Sequence, residues 1–232
     1  MNTAIDIEHA EITVPAGGVE LAADFALPDR AIGLVIFAHG SGSSRRSPRN
    51  QRVAGVLNRG AIATILIDLL TAKEEAVDVH TAEFRFDIDL LVRRLTAITD
   101  WAVGEPELKS LGIGYFGAST GAAAALTAAA NRPESVRAVV SRGGRPDLAG
   151  PALGQVQAPC LFIVGGEDHQ VLCLNREAIA ELPRHTERRL EIIPGATHLF
   201  EEPGTLDLAA VLARGWFEKH LKAGSARQGA AS

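Results

Sequence analysis

The sequence predicts an α/β fold: a mostly parallel sheet of about eight strands with helices on both faces. Three observations predict it. Short apolar, β-rich runs recur along the chain, with helical patterns between them. Several of these runs are continuously apolar, as strands buried on both faces are. No break in composition separates them, so one domain over residues 1–223 is expected, followed by a small, polar, mobile tail at 224–232. The 232 residues are 47% hydrophobic and 22% charged, enough apolar material for a sizeable core and incompatible with wholesale disorder.

The elements follow in order. EITVP (11–15) and GVELAADFALP (18–28) alternate and predict an antiparallel pair near an edge. AIGLVIFAHG (31–40) is a buried strand ending in glycine, and NQRVAGVLNRG (50–60) is a helix stopped by Gly60. AIATILIDLL (61–70) is a second buried strand. Phe84, Ile88, Leu91, Leu95 and Ile98 form one apolar helical stripe, with Pro106 just beyond its end. LGIGYFG (111–117) predicts a strand, and STGAAAALTAAA (119–130) a helix whose alanines permit close packing. VRAVVSRGG (136–144) and APCLFIVGG (158–166) are strands, followed by a helix around 171–182 and the strand RRLEIIPG (188–195). Leu208, Val211, Leu212, Trp216 and Leu221 mark a last helix. Right-handed crossovers would place the helices on both faces of the sheet.

Composition excludes some functions. A net charge of −5 disfavours nucleic acid as a partner. No run approaches the ~18 apolar residues of a membrane span, so no membrane partner is expected. The first fifteen residues carry three acids and no basic residue, unlike a signal peptide. Cys160 and Cys173 sit in apolar surroundings and read as two buried thiols in a reducing cytoplasm.

Ligands of open α/β sheets bind beyond the carboxyl ends of the strands. After the 111–117 strand stands Gly117-Ala118-Ser119-Thr120-Gly121, and a helix starts at once. A sharp strand-to-helix turn strains the backbone at the serine, and small residues two positions either side avoid clashes. The hydroxyl is then exposed above a helix N-terminus suited to a developing oxyanion. A serine needs a base. His198, in PGATHLF directly after the last strand, sits at a carboxyl end. His39 is also at a strand end but, preceding Gly40, reads as shaping the turn. His9, His80, His185 and His220 fall in polar or helical settings, and His169 follows an acid and points elsewhere. The base needs an orienting carboxylate. Glu167 and Asp168 compete after the CLFIV strand; Asp168 is preferred because G-x-x-D is the usual arrangement there. The order Ser119, Asp168, His198 is more specific than any single member. The oxyanion donors are expected to be the N–H of Thr120 and that of Ser41, with Gly42 close behind. Arg45, Arg46, Arg49 and Arg52, with Arg142 at another strand end, could hold a substrate carboxylate or phosphate; a solvated helix start is the blander reading.

AHGSGSS, GYFGASTGA, VGGEDHQV and GATHLF resemble the motifs of α/β-hydrolases, most nearly the dienelactone-hydrolase-related serine hydrolases of bacteria. The motifs spread over residues 31–200. The dienelactone hydrolases proper use a cysteine where this chain has Ser119, which argues against dienelactone itself as substrate. The resemblance implies the α/β-hydrolase fold and a Ser-His-Asp enzyme cleaving small-molecule esters, lactones or related acyl bonds. It implies no metal and no organic cofactor. Many such enzymes carry a lid between the strand ending near Arg142 and the one starting near Pro159; the sixteen residues here predict no large lid.

Other readings compete. Gly112-x-Gly114-x-x-Gly117 matches a dinucleotide fingerprint, but its glycines lie within the strand rather than after it. The same triad could pass the acyl group to an acceptor other than water. The fold could also serve a non-catalytic interaction protein.

Overall fold

The structure is a computed structural model and describes residues 5–222. The tail expected at 224–232 lies outside the described residues. The first element is a hairpin of β1 (Ile7–Ala16) and β2 (Val19–Pro28). Gly17 and Gly18 both take positive φ, 63° and 92°, as a two-residue turn matched to strand twist requires. β3 (Leu34–Ala38) and β4 (Ala63–Ile67) are buried along their whole lengths, as their unbroken apolar runs predict. β5 (Ile113–Ala118), β6 (Val136–Arg142), β7 (Cys160–Gly165) and β8 (Arg188–Ile193) complete an eight-stranded sheet. Its order is β1-β2-β4-β3-β5-β6-β7-β8, parallel from β4 to β8 and antiparallel in the β1-β2-β4 corner.

Helices cover both faces. α1 (Pro48–Asn58) packs against α6 (Thr205–His220) on one face, around Phe37, Leu57, Phe116 and Phe217. α3 (Ile88–Gly104) and α4 (Thr120–Asn131) cover the other, around Leu95, Ile98 and Tyr115. α2 (Ala72–Thr81) occupies part of the 68–83 segment and starts with a capping box between Thr71 and Glu74. α5 (His169–Glu181) follows β7. Between β6 and β7 stands only a 3₁₀ segment, Pro146–Gln155, and no large lid is evident.

Two expectations need correction. The apolar stripe begins at Phe84, but the helix begins at Ile88. The Asp87 carboxylate caps it by accepting from the Leu90 N–H at 2.9 Å, and the buried Asp78 carboxylate takes the Phe84 and Arg85 N–H groups at 2.7 and 3.0 Å. These bonds hold 84–87 in a turn, from which Phe84 still packs on the core. Cys160 is buried as expected, whereas Cys173 is exposed, because it lies on the outer side of α5. Among the described residues no helix is long and apolar enough to cross a membrane.

Candidate active site

Ser119 joins β5 to α4 with φ 50° and ψ −124°, a strained conformation for a side chain other than glycine. The glycines on either side explain how it is tolerated. A Cβ on Gly121 would stand 2.1 Å from the Ala38 carbonyl oxygen, and one on Gly117 2.5 Å from the Ala122 Cα. Gly40, in the facing loop, approaches so closely that a Cβ there would meet the Ser119 Cβ at 2.9 Å. The strain is held by neighbouring backbone: the Ser119 carbonyl accepts from the Ala122 and Arg145 N–H groups at 3.1 and 3.0 Å.

The acid and the histidine meet. Asp168 stands at the N-cap position of α5, yet its side chain makes no cap hydrogen bond. Instead Oδ2 lies 2.6 Å from His198 Nδ1, with the carboxylate 13% and the imidazole 39% exposed. The Nδ1–H donates to the carboxylate, which leaves Nε2 free to accept a proton. Two glycines make the approach of the loops possible. A Cβ on Gly165 would stand 2.3 Å from the Ala196 carbonyl oxygen, and that oxygen accepts from the Glu167 N–H at 3.0 Å. Glu167 itself points outward, 59% exposed and 3.9 Å from the still more exposed His169. The histidine loop is closed by Glu202, whose carboxylate accepts from the Thr197 N–H and hydroxyl at 3.1 and 2.6 Å.

Serine and histidine share an anchor at the end of β6. The Ser119 N–H faces the Arg142 carbonyl at 3.4 Å. At the next residue, Gly143, an added Cβ would be 3.1 Å from the His198 carbonyl oxygen and 3.6 Å from its Nδ1. The Ser119 hydroxyl makes no hydrogen bond to His198 among the described residues. Such contacts are often long in unliganded hydrolases and tighten with substrate.

Thr120 opens α4, so its N–H is one of those a helix leaves unpaired. The Ser41 N–H is not free: it donates to Thr120 Oγ1 at 3.0 Å. That side-chain role escaped the sequence reading, which considered only the Thr120 backbone. The loop is further braced by His39, whose Nδ1 faces the Gly40 carbonyl at 2.9 Å while Nε2 accepts from the Leu69 N–H at 3.0 Å. His39 therefore shapes the turn as expected. Burial lowers its pKa, only partly offset by the Gly40 carbonyl, Asp68 and Glu75.

The arginine cluster separates. Arg45 binds Asp68 through its N–H and Nε at 2.7 and 3.1 Å and also pairs with Asp24, tying the loop after β3 to β2 and to the end of β4. Arg46 is 69% exposed and turns to Glu11 on the edge strand, 3.4 Å away. Arg52 forms a two-pronged pair with Asp207 at 2.6 Å, and Arg49 lies 3.5 Å from Glu201. Gly42, with φ 69°, stays in the loop near Arg85, and Arg142 is buried at the end of β6. Gly114 and Gly117 lie inside β5 against Phe217 and Ala122, where no phosphate loop forms.

The sheet order, the serine elbow after β5 and the acid–histidine pair after β7 and β8 define an α/β-hydrolase. Residues 56–218 match the sequence model of the Dienelactone hydrolase family, and the chain belongs to that family. A dienelactone hydrolase from Anabaena variabilis is 54% identical, superimposes with a TM-score of 0.91, and the match covers 93% of this chain and 99% of that one. Est1E from Butyrivibrio proteoclasticus shares the fold at 16% identity, with a TM-score of 0.73 over 90% of this chain and 98% of its own. Two Mycobacterium tuberculosis proteins, provisionally named phosphoribosyl transferases, are 54% identical over 215 residues. That match covers 93% of this chain, which spans only 47% of the length of those relatives.

Proposed function

We propose that residues 1–223 form one catalytic unit, a serine hydrolase that cleaves carboxylic esters or lactones of small substrates through an acyl-enzyme. The observation that carries this reading is the bonded Asp168–His198 pair held at the same strand end as the strained Ser119. His198 Nε2 takes the Ser119 proton as Oγ attacks the carbonyl carbon. Asp168 keeps the ring in the tautomer with Nδ1 protonated and stabilises its charged form. The oxyanion is received by the Thr120 N–H and by the Ser41 N–H, which leaves Thr120 Oγ1 for the stronger acceptor. Loss of one such donor typically costs roughly 3–4 kcal/mol of barrier. The alcohol departs with the proton from His198, which then activates water to release the acid. Free cysteines at 160 and 173 support a reducing, cytoplasmic setting.

Transfer of the acyl group to another alcohol or thiol uses the same residues, and product analysis with added acceptors separates it from hydrolysis. The phosphoribosyl-transferase name belongs to proteins about twice this length, and we assign that activity to the part this chain does not match. The main test is labelling with a fluorophosphonate, peptide mapping, and a panel of 4-nitrophenyl esters of rising chain length. Modification of Ser119 with turnover of short acyl chains is expected. Absence of labelling together with absence of turnover overturns the reading.

A further inference from the structure

β1 and β8 form the two edges of the sheet, and among the described residues neither has a strand on its outer side. An uncovered edge offers a row of N–H and C=O groups to any strand that fits it. The two edges differ in charge. β1 carries Glu8 and Glu11, Pro15 near its end, and no lysine or arginine, so a second copy laid against it brings acids together. β8 mixes both signs with apolar residues: Arg188, Arg189, Leu190, Glu191, Ile192 and Ile193. Ile192 is 40% exposed, and Leu190, although packed on the core, is still partly open to solvent. Large apolar side chains left open on an edge strand favour pairing.

The backbone direction of β8 is fixed by its neighbour β7. The Cys160 N–H donates to the Glu187 carbonyl at 2.8 Å, and the Gly166 N–H to the Ile193 carbonyl at 2.8 Å. Alternation along the strand turns 187, 189, 191 and 193 towards β7, and the backbone groups of Arg188, Leu190 and Ile192 outward. A second β8 running antiparallel about a two-fold axis at Leu190 meets these outward groups in step. Leu190 then faces its own counterpart, and Arg188 faces Ile192 of the other copy. Each opposed pair can exchange two hydrogen bonds. By symmetry the same register sets Arg189 directly opposite Glu191 twice, at the closer spacing between hydrogen-bonded pairs, where opposite charges attract. Those two side chains already pair within one strand, and Arg189 is 61% exposed, so its guanidinium can turn across the axis. The Arg188 head is held by the Leu182 and Pro183 carbonyls at 3.3 and 2.7 Å, which leaves its stem to cover Ile192. The ladder also has defined ends. Pro194 has no N–H, and the Thr186 N–H already donates to the Pro183 carbonyl at 2.9 Å.

We propose that β8 is an interface between two copies of this chain, joined antiparallel about Leu190 into one continuous sheet. The strands of the two copies run in opposite directions, so their His198 loops lie at opposite ends and share no residue. The interface is therefore read by mass rather than by turnover.

Sedimentation or light scattering of the full chain from about 1 to 100 μM is expected to show, at the upper end, twice the 24.5 kDa of one copy. Arg189→Glu and Glu191→Arg each set like charges opposite one another twice and should weaken association about tenfold or more. An equimolar mixture of these two variants should dimerise again, because each acid then meets an arginine across the axis. Pairing within a single chain cannot produce that rescue. Ile192→Pro removes an outward N–H and should abolish the dimer while circular dichroism shows the fold intact. If that variant does not fold, the mixture decides alone. A wild-type chain that stays monomeric up to about 100 μM overturns the proposal and leaves the edge to a partner of another kind. A dimer unchanged in both charge variants overturns it as well, and a mixture that stays monomeric refutes the register.

Discussion

Replacement of Asp168 by asparagine tests the proposed triad where the structure is most specific. The carboxylate is 13% exposed, and its Oδ2 lies 2.6 Å from His198 Nδ1. Its backbone N–H is held separately by the Gly165 carbonyl at 3.1 Å, so the loop survives the change. The asparagine NH₂ would donate to Nδ1, drive the ring proton to Nε2 and leave nothing to accept the serine proton. Loss of the negative charge also removes stabilisation of the imidazolium; at a charge separation of about 4 Å and an effective dielectric near 20, that is about 4 kcal/mol. Adding the wrong tautomer gives a fall in kcat of roughly 10⁴-fold, or about 5.4 kcal/mol. Steady-state hydrolysis of 4-nitrophenyl acetate measures it, alongside thermal melting to confirm an intact fold. Glu167→Gln is the control, because that carboxylate is 59% exposed and bonds nothing at the site. An Asp168→Asn enzyme within about tenfold of wild type, or a comparable collapse in Glu167→Gln, would refute the assignment of the acid.

Further outcomes follow from packing and charge. Gly121→Ala places a Cβ 2.1 Å from the Ala38 carbonyl oxygen and should cost about 1–3 kcal/mol or more in melting experiments, with loss of activity. Gly215→Ala, in an exposed turn of α6 with open space around it, should instead raise stability by about 0.5–1 kcal/mol. Arg45→Ala leaves Asp24 and Asp68, each about one-third exposed, facing each other without a cation; a loss of about 1–2 kcal/mol and a raised KM for esters are expected. His39 contributes acid sensitivity: the unfolded chain takes up its proton near pH 6.5, whereas the folded protein resists it. The unfolded state then holds more protons, so stability falls as pH drops below about 6.5. His39→Gln should show a shallower decline in melting temperature between about pH 7.5 and 5, and an unchanged slope would exclude this role.

Much of the site was legible in the sequence because its requirements are local. A serine at a strand-to-helix turn needs small residues at fixed offsets, and Gly117 and Gly121 supply them. Gly165 stands where two loops approach closely and Gly195 where the backbone takes a positive φ of 71°, and a histidine directly after the last strand can face only its carboxyl end. What escaped depends on partners distant in the chain. The stripe from Phe84 to Ile98 has helical spacing throughout, but Asp78 captures the 84 and 85 amides and Asp87 caps the helix later. The four arginines after the β3 loop look alike in order; Asp24, Asp68, Glu11, Glu201 and Asp207 decide their places from distant parts of the chain.

The amino-acid order alone therefore determined the α/β architecture, the three candidate catalytic side chains and the loop facing them, since strand burial, helix periodicity and glycine spacing act over a few residues. Only the tertiary structure decided that Asp168 approaches His198 to 2.6 Å while Glu167 turns outward, that the Thr120 hydroxyl holds the Ser41 amide, and that Arg142 is buried without a countercharge among the described residues. Each of those outcomes is a contact between strand ends brought together by sheet order, and no local pattern encodes which charges a folded chain will leave unpaired.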